Sequence, residues 1–303
     1  MVNRSRIAAA LLSLVCLMAS GCASMTKAEP EPAEYQVKYT YDVEYGKAGD
    51  KPLILHIAQP DPMPKKPMPA VVWLHGGGWY TGRSRSSPNP QLARHGYFTV
   101  NVAYRLTTEA IFPAQIEDAK AAVRWLRANA KTYNIDPNQI GVWGHSAGGH
   151  LAALLGTSGG VKDLEGDGGS PKQSSRVQAV VNLAGVIDLL KQPEPQDSPA
   201  TAAARLVGGA LQDKLDVVRQ TNPVTYVTKD DPPVLSIHGQ DDKIVPLSQP
   251  ESLHEALRKA GVQEQLVVVP GYGHNVAYIG SVPPEVEEQV LAFFDKHLKG
   301  ARK

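Results

Sequence analysis

The feature that constrains this chain most is the stretch GHSAG at residues 144–148, in which a serine stands between two glycines. Residues 139–143 before it predict the end of a buried strand, and the apolar residues within 151–155 predict a helix with one buried face. The stretch fits the pattern G-x-S-x-G, in which a strained strand-to-helix turn pushes the serine hydroxyl into a cleft. The glycines fit this turn, because side chains there would collide with the neighbouring strand or helix. Ser146 is therefore the candidate nucleophile.

Length and composition favour one large α/β domain. The chain has 303 residues, of which 42% are hydrophobic, and its formal net charge is +1. This size suits a single sizeable core better than two small ones. The near-neutral charge, without a long run of Lys or Arg, gives no electrostatic footprint for nucleic acid. We therefore expect no nucleic-acid partner, and the sequence makes no prediction of the oligomeric state.

The N-terminus is typical of an export signal. Arg4 and Arg6 precede an apolar stretch at residues 7–18, which has about the length of a signal-peptide core. Small residues then lead to Cys22, as in the lipobox of bacterial lipoproteins, although Ala19 stands where leucine is usual. We expect Cys22 to be acylated and to anchor the protein to a membrane.

The predicted boundaries follow from this signal. Residues 1–21 are expected to be the signal peptide, residues 22–34 a charged, Pro-containing linker, and residues 35–300 the catalytic domain. The expected location is the bacterial cell envelope, at the outer membrane or in the periplasm. Ordinary cleavage after Gly21 or Ala23 is the alternative, and it would give a secreted protein.

Strand and helix patterns alternate from residue 70 to the end of the chain, which predicts a mostly parallel sheet with helices on both faces. Strands are expected at 70–74, 97–104, 139–143, 177–183, 233–237 and 264–269, after an edge hairpin at 35–45 and 53–58. Helices are expected from Pro113, after Ser146, at 248–260 and at 284–298. Residues 187–222 interrupt the alternation. An insertion there, after the carboxyl end of a strand, would lie over the ligand-binding edge, so we interpret it as a small cap.

A nucleophilic serine needs a base that takes its proton and a carboxylate that fixes the tautomer of the base. His274 lies in a Gly-rich loop directly after the last predicted strand and is the candidate base. Asp241 and Asp242 follow the preceding predicted strand, and both qualify by position as the acid. Asp188, which follows an earlier strand, is a weaker alternative.

An oxyanion hole needs backbone N–H groups that point at the developing negative charge. The motif HGGG at residues 75–78 follows the third predicted strand, where such donors are expected. The first glycine is expected to form the turn, which leaves Gly77 and Gly78 as donors, together with Ala147 after the nucleophile. The candidate substrate-binding side chains beside these groups are Trp79, Tyr80 and His145.

No metal or cofactor is expected. His254 begins a zincin-like pattern, but Arg258 stands where the second histidine ligand would be. Residues 163–168 carry alternating acids like a calcium loop, but Ser174 occupies the position of the final glutamate.

Together the motifs resemble the α/β-hydrolase superfamily, and more narrowly the bacterial carboxylesterases related to feruloyl and acetyl-xylan esterases, near the hormone-sensitive-lipase group. The stretches that carry the resemblance are HGGGW (75–79), AYRL (103–106), FPAQIEDAKAAVRWLRANA (112–130), IDPNQIGVWGHSAGGHLAALLG (135–156), HGQDDKIVP (238–246) and GYGH (271–274). The resemblance implies the α/β-hydrolase fold with an eight-stranded sheet. It favours Asp242 over Asp241, because the family spacing is H-G-x-x-D-x-x-V-P.

The resemblance also implies a serine carboxylic-ester hydrolase that acts on small or aromatic acyl esters, such as plant cell-wall acetyl or feruloyl esters. An acyl-enzyme would form, and no cofactor would be needed. Arylformamidases share the HGGxW and G-x-S-x-G elements, so formamide or amide hydrolysis by the same three residues is the alternative. A non-catalytic, carbohydrate-binding surface protein is a third hypothesis, against which the intact set of catalytic residues counts.

Overall fold

Eight strands form one sheet in the order β1-β2-β4-β3-β5-β6-β7-β8. The strands are β1 (Gln36–Ala48), β2 (Lys51–Asp61), β3 (Met68–Leu74), β4 (Phe98–Ala103), β5 (Ile135–His145), β6 (Ala179–Leu183), β7 (Val234–Gly239) and β8 (Glu264–Val269). β2 pairs antiparallel with β1 and with β4, and the remaining pairs are parallel. The predicted mostly parallel, eight-stranded sheet is confirmed.

The computed structural model describes residues 34–86, 89–195, 197–275 and 283–300, which belong to one unit, Ala33–Lys303. The predicted signal peptide, Cys22 and the linker up to residue 33 lie outside the described residues. The helices are α1 (Asn89–Arg94), α2 (Ala114–Ala128), α3 (Ala147–Thr157), α4 (Ala202–Val207), α5 (Leu215–Thr221), α6 (Ser248–Ala260) and α7 (Pro284–Phe294). None of the helices in these ranges has the length and hydropathy that crossing a lipid bilayer requires.

The central strands of the sheet are buried on both faces, as the continuous apolar sequence of β3 predicts. Successive side chains of a strand point to opposite faces. Val72 and Leu74 therefore join the core that contains residues of α2 and α3, whereas Val71 and Trp73 join the core that contains residues of α7. Helices thus cover both faces of the sheet.

Parallel pairing brings the carboxyl ends of β3, β5, β7 and β8 to one edge of the sheet. The HGGG motif, Ser146, Asp242 and His274 follow these four ends. β5 is longer than predicted, because its first residue, Ile135, pairs with Met68 at the start of β3. β5 also ends later than predicted, at His145 rather than Trp143, so the strand runs directly up to Ser146.

The segment predicted as a cap, residues 187–222, carries α4 and α5 between β6 and β7. Its contacts with the site-forming edge include the following two. The Phe112 N–H donates to the Leu206 carbonyl at 2.8 Å, and the Ala202 methyl lies so close to Gly78 that a Cβ there would be 3.2 Å away. The segment therefore contacts the loop that follows β3.

Candidate active site

Ser146 occupies the turn between β5 and α3 with φ 55° and ψ −119°, a conformation that non-glycine residues rarely adopt. A Cβ on Gly144 would lie 2.2 Å from the carbonyl oxygen of Gly148, and a Cβ on Gly148 would lie 2.0 Å from that of Leu74. Neither position has room for a side chain, which confirms the steric reason for both glycines. The packing of this turn fixes the direction of the Ser146 side chain.

Three side chains from three loops form a continuous chain of hydrogen bonds. Ser146 Oγ lies 2.8 Å from His274 Nε2, and His274 Nδ1 lies 2.8 Å from Asp242 Oδ2. The hydroxyl can donate to Nε2 when Nδ1–H donates to the carboxylate, which is the tautomer that a general base needs. Sequence analysis named Ser146 and His274, the resemblance favoured Asp242 over Asp241, and the fold brings these three side chains together.

The surroundings of Asp242 keep it ionised. Its Oδ1 accepts the backbone N–H groups of Ile244 at 2.9 Å and of Val245 at 2.8 Å, and its Oδ2 lies 3.4 Å from His238 Nε2. Burial raises the pKa of Asp242, but hydrogen bonds from His274 and from these N–H groups outweigh burial and hold the pKa below its ordinary value. A buried carboxylate therefore faces His274.

The other two acid candidates lie elsewhere. Asp241 is exposed, and its backbone N–H donates to the Tyr272 carbonyl at 2.9 Å. Asp188 accepts the N–H of Leu190 at 3.0 Å, an interaction that caps a short helical turn. Of the three candidates, Asp242 is the one whose carboxylate meets His274.

His145 lies behind these side chains, although the sequence suggested a contact with substrate. It is buried, and its Nε2–H donates to the backbone carbonyl of His274 at 2.9 Å. Burial lowers the pKa of His145 to about 4, so the ring is neutral near pH 7. The geometry assigns His145 to holding the His274 loop, which we define as residues 270–275.

The glycine loop, defined here as residues 75–81, turns later than expected. Gly77, Gly78 and Trp79 have φ values of 116°, 59° and 61°, and the Gly77 carbonyl accepts the N–H of Thr81 at 3.1 Å. The prediction that the first glycine forms the turn is therefore wrong. Gly76 instead packs against the nucleophile, because a Cβ there would lie 3.3 Å from Ser146 Cβ.

The three candidate oxyanion donors lie beside Ser146 in the chain or in the loop that packs on it. Within the described part of the chain, the N–H groups of Gly77, Gly78 and Ala147 donate to no protein acceptor. Ala147 is also the first residue of α3, where the helix dipole favours negative charge. These N–H groups remain available to a substrate oxygen.

Of the two aromatic candidates, one is buried and one faces the surface. Trp79 is 3% exposed, and its indole N–H donates to His150 Nδ1 at 3.2 Å. Tyr80 is 42% exposed, and the Arg205 guanidinium of α4 lies 5.1 Å from its ring centre. Tyr80 is thus the candidate that a substrate can reach. Sequence reasoning missed His150, although its position four residues after Ser146, one helical turn away, was a usable signal.

No group of three or more His, Cys, Asp or Glu residues in the described ranges is arranged as a metal site. The acidic loop at residues 163–168 uses Glu165 for protein contacts. Glu165 accepts from Lys120 Nζ at 2.9 Å and from Arg124 at 3.1 Å, and both basic side chains are buried on α2. The loop is therefore pinned to α2 by ion pairs.

Comparison with known proteins identifies relatives of this chain. The family model BD-FAE matches residues 55–257, which include the glycine loop, Ser146 and Asp242. Two esterases of Mycobacterium tuberculosis are similar: LipQ is 30% identical over 77% of this chain, and LipC is 32% identical over 81% of it. The chain spans 56% of the length of LipQ and 62% of that of LipC.

A solved structure is also similar over nearly its whole length. It is a truncated form of a carbohydrate esterase from gut microbiota, with a TM-score of 0.79 and 31% identity, and the match covers 88% of this chain and 99% of the other. The fold, the motifs and these matches agree. The chain belongs to the BD-FAE family and has the fold of the α/β hydrolases.

Proposed function

We propose that this protein is a serine carboxylic-ester hydrolase that works through an acyl-enzyme. The observation that carries the proposal is the hydrogen-bonded chain from Ser146 through His274 to Asp242, with distances of 2.8 Å and 2.8 Å. The unused N–H groups of the glycine loop and of Ala147 support it. The esterase relatives support the same class of reaction.

In the first half-reaction, Ser146 Oγ attacks the carbonyl carbon of the ester while its proton passes to His274 Nε2. The carbonyl oxygen becomes negative and accepts N–H groups of Gly77, Gly78 and Ala147. The Asp242 carboxylate stabilises the imidazolium and fixes its orientation. The C–O bond to the alcohol then breaks, and His274 donates the proton to the departing oxygen, which leaves an acyl group on Ser146.

In the second half-reaction, water replaces the alcohol. His274 takes a proton from the water as its oxygen attacks the acyl carbon, and the same N–H groups bind the oxyanion. The intermediate collapses when the bond to Ser146 Oγ breaks. His274 returns the proton to Oγ, so the carboxylic acid leaves and the enzyme is restored without a cofactor.

For the substrate we propose small or aromatic acyl esters of carbohydrates, such as acetyl or feruloyl groups of plant cell walls. The similarity to the carbohydrate esterase from gut microbiota supports this class. Tyr80, which is exposed and lies next to Gly78, offers an aromatic face on which a sugar or an aromatic acyl group can pack. Export with a lipid anchor on Cys22, which we also propose, would suit a polymeric substrate. Incorporation of radiolabelled palmitate into the wild type but not into Cys22→Ser would support the anchor.

Hydrolysis of p-nitrophenyl acetate by wild type and Ser146→Ala tests the reaction. We expect the variant to lose activity by at least about 10⁴-fold, because the nucleophile is removed. Ser84→Ala is the matched control, since Ser84 Oγ also lies 3.1 Å from a histidine, His56 Nε2. His56 Nδ1 accepts the Asp42 N–H at 3.1 Å, so Nε2 carries the proton and His56 cannot act as a base. Equal rates for wild type and Ser146→Ala would refute the mechanism.

A substrate panel tests the choice of bond and acyl group. It contains acetylated xylo-oligosaccharides, methyl ferulate and N-formylkynurenine. We expect the largest kcat/KM with one of the carbohydrate or feruloyl esters. A preference for N-formylkynurenine would instead assign the site to formamide hydrolysis by the same residues.

A further inference from the structure

His150 is a fully buried histidine near the site to which the proposed mechanism gives no role. It lies in the first turn of α3, and its backbone N–H donates to the Ser146 carbonyl at 2.9 Å. Its side chain is 0% exposed and contacts two other parts of the site region. Nδ1 accepts the Trp79 indole N–H at 3.2 Å, and Nε2 lies 2.7 Å from the Thr221 carbonyl oxygen.

These partners fix the state of the ring. An indole N–H can only donate, so Nδ1 must be the unprotonated nitrogen. A backbone carbonyl can only accept, so Nε2 must carry the proton. Burial lowers the pKa of His150 to about 4, so the ring is neutral near pH 7. Its two partners select the tautomer with the proton on Nε2.

The first partner belongs to the glycine loop. Trp79 directly follows Gly78 and itself has a φ of 61°, which is unfavourable for a bulky residue. The Trp79 indole meets the His150 ring edge-on, with ring centres 5.2 Å apart and an angle of 88° between the planes. The Trp79 carbonyl accepts the Thr107 N–H at 2.9 Å. Trp79 is thus held at its indole by His150 and at its carbonyl by Thr107. These two contacts limit how far the adjacent peptide planes can rotate.

The second partner belongs to the cap segment. Thr221 is the last residue of α5, is buried, and donates its hydroxyl to the Val218 carbonyl at 2.7 Å. Its own carbonyl oxygen accepts from His150. The His150 imidazole therefore joins α3 to the glycine loop and to the cap segment.

We propose that His150 is a positioning residue, which holds Trp79 so that the N–H groups of Gly77 and Gly78 point at the substrate oxygen and which ties this loop to the cap segment through Thr221. The role rests on the proposed ester hydrolysis. His150 touches neither the substrate nor a reacting atom. It acts through the conformation of the turn that carries two of the three oxyanion donors.

The test compares variants that remove one or both contacts. His150→Phe keeps a ring but loses both hydrogen bonds. His150→Asn places an oxygen near the position of Nδ1 and keeps an acceptor for Trp79, whereas His150→Gln places an N–H near the position of Nε2 and keeps the donor to Thr221. His254→Phe is the matched control, because His254 is also a buried histidine with a hydrogen-bonded partner, Glu264, on elements that carry no candidate site residue.

With p-nitrophenyl acetate, we expect His150→Phe to lower kcat by about 10- to 100-fold, with KM changed less than about twofold, because misdirected donors weaken binding of the transition state more than that of the substrate. Rates are expressed per active site, counted with a fluorophosphonate that labels Ser146. His254→Phe should lower the melting temperature and leave kcat unchanged. His150→Asn should retain more activity than His150→Gln, because the contact to Trp79 lies next to the donors.

Amide hydrogen exchange of the peptide that contains residues 75–81 gives a readout that does not depend on activity. We expect faster exchange there in His150→Phe and no change in His254→Phe. If the wild type neither hydrolyses esters nor reacts with the fluorophosphonate, the proposed function fails, and the exchange comparison still decides the role of His150. Exchange in residues 75–81 that is equal in His150→Phe and wild type, or equal kcat per labelled site in an active wild type, would overturn the proposal.

Discussion

The nucleophile and the base reach the same site by different means. Ser146 follows a central strand, and both glycines of its turn lie so close to neighbouring carbonyl oxygens that no Cβ fits. His274 follows β8, the edge strand, in a loop whose Gly273 has space for a Cβ among the residues that the structure describes, where the nearest atom is Asp241 O at 3.8 Å. The His274 loop packs closely on Gly239, where a Cβ would lie 2.3 Å from the Gly273 carbonyl oxygen, and hydrogen bonds to His145 and Asp242 complete its placement.

This difference indicates that steric packing alone fixes the nucleophile turn, whereas the His274 loop is placed by its packing on Gly239 and the base is oriented by hydrogen bonds. A closely packed turn has no room for added atoms. A side chain oriented by hydrogen bonds is instead sensitive to which groups donate and accept. Substitutions that keep shape but change hydrogen bonding should therefore affect the base most. Substitutions that add volume should affect the nucleophile turn most.

The largest effect is expected for Asp242→Asn. The side chain keeps its shape, and its oxygen can still accept the N–H groups of Ile244 and Val245. The new NH₂ group then faces His274 Nδ1 and favours the tautomer whose Nε2–H points at Ser146, which removes the base. We expect kcat for p-nitrophenyl acetate to fall about 10³- to 10⁴-fold with a nearly unchanged melting temperature. Activity within tenfold of the wild type would show that the carboxylate does not set the tautomer.

The next effect is expected for Gly148→Ala, which adds one methyl group to the nucleophile turn. The added Cβ would meet the Leu74 carbonyl oxygen at 2.0 Å, so β3 or α3 must move. We expect the free energy of unfolding in urea to fall by about 3 kcal/mol or more, with loss of ester hydrolysis. Gly273→Ala is the control and should change the free energy of unfolding by less than about 0.5 kcal/mol. Similar losses of unfolding free energy in both variants would contradict the contrast between the nucleophile turn and the His274 loop.

The free energy of unfolding should also depend on pH, by an amount similar to the loss in Gly148→Ala, because His145 and His150 are buried next to the nucleophile turn. Burial lowers the pKa of both His145 and His150 to about 4, against an ordinary value of 6.5. Between these values the unfolded chain binds more protons than the folded one, so the free energy of unfolding falls as the pH is lowered from 6.5 to 4. Each histidine contributes at most about 3 kcal/mol to this decline. Urea unfolding at several pH values should show a shallower decline for His150→Phe, and parallel curves would disprove the assignment.

The smallest effect is expected for His145→Phe, which removes the donor to the His274 carbonyl. Because Asp242 still holds the ring of His274, we expect kcat to fall about tenfold, the magnitude of one lost hydrogen bond. His145→Gln can place an N–H near the position of Nε2 and should recover part of the loss. An unchanged kcat for His145→Phe would mean that Asp242 alone orients the base.

Most strands and helices and the motifs of this chain could be predicted because they depend on local patterns, although α1 was missed. The predicted strand at 264–269 and the predicted helix at 248–260 coincide with β8 and α6. The serine turn could be inferred because its glycines are a local steric requirement. The choice between Asp241 and Asp242 was not local, since both follow the same strand and position alone fits either.

The sequence by itself thus determined the type of sheet and the loops from which candidate residues come, because periodicity and turn chemistry act over a few neighbouring residues. The tertiary structure decided which side chains meet. It turned Trp79 inward to His150, directed His145 to the His274 backbone and shifted the turn of the glycine loop to Gly77 and Gly78. The contacts of Trp79 with His150 and of His145 with His274 join segments that lie far apart in the chain. The strand order and the packing on each face of the sheet determine which segments meet, and no local sequence pattern encodes them.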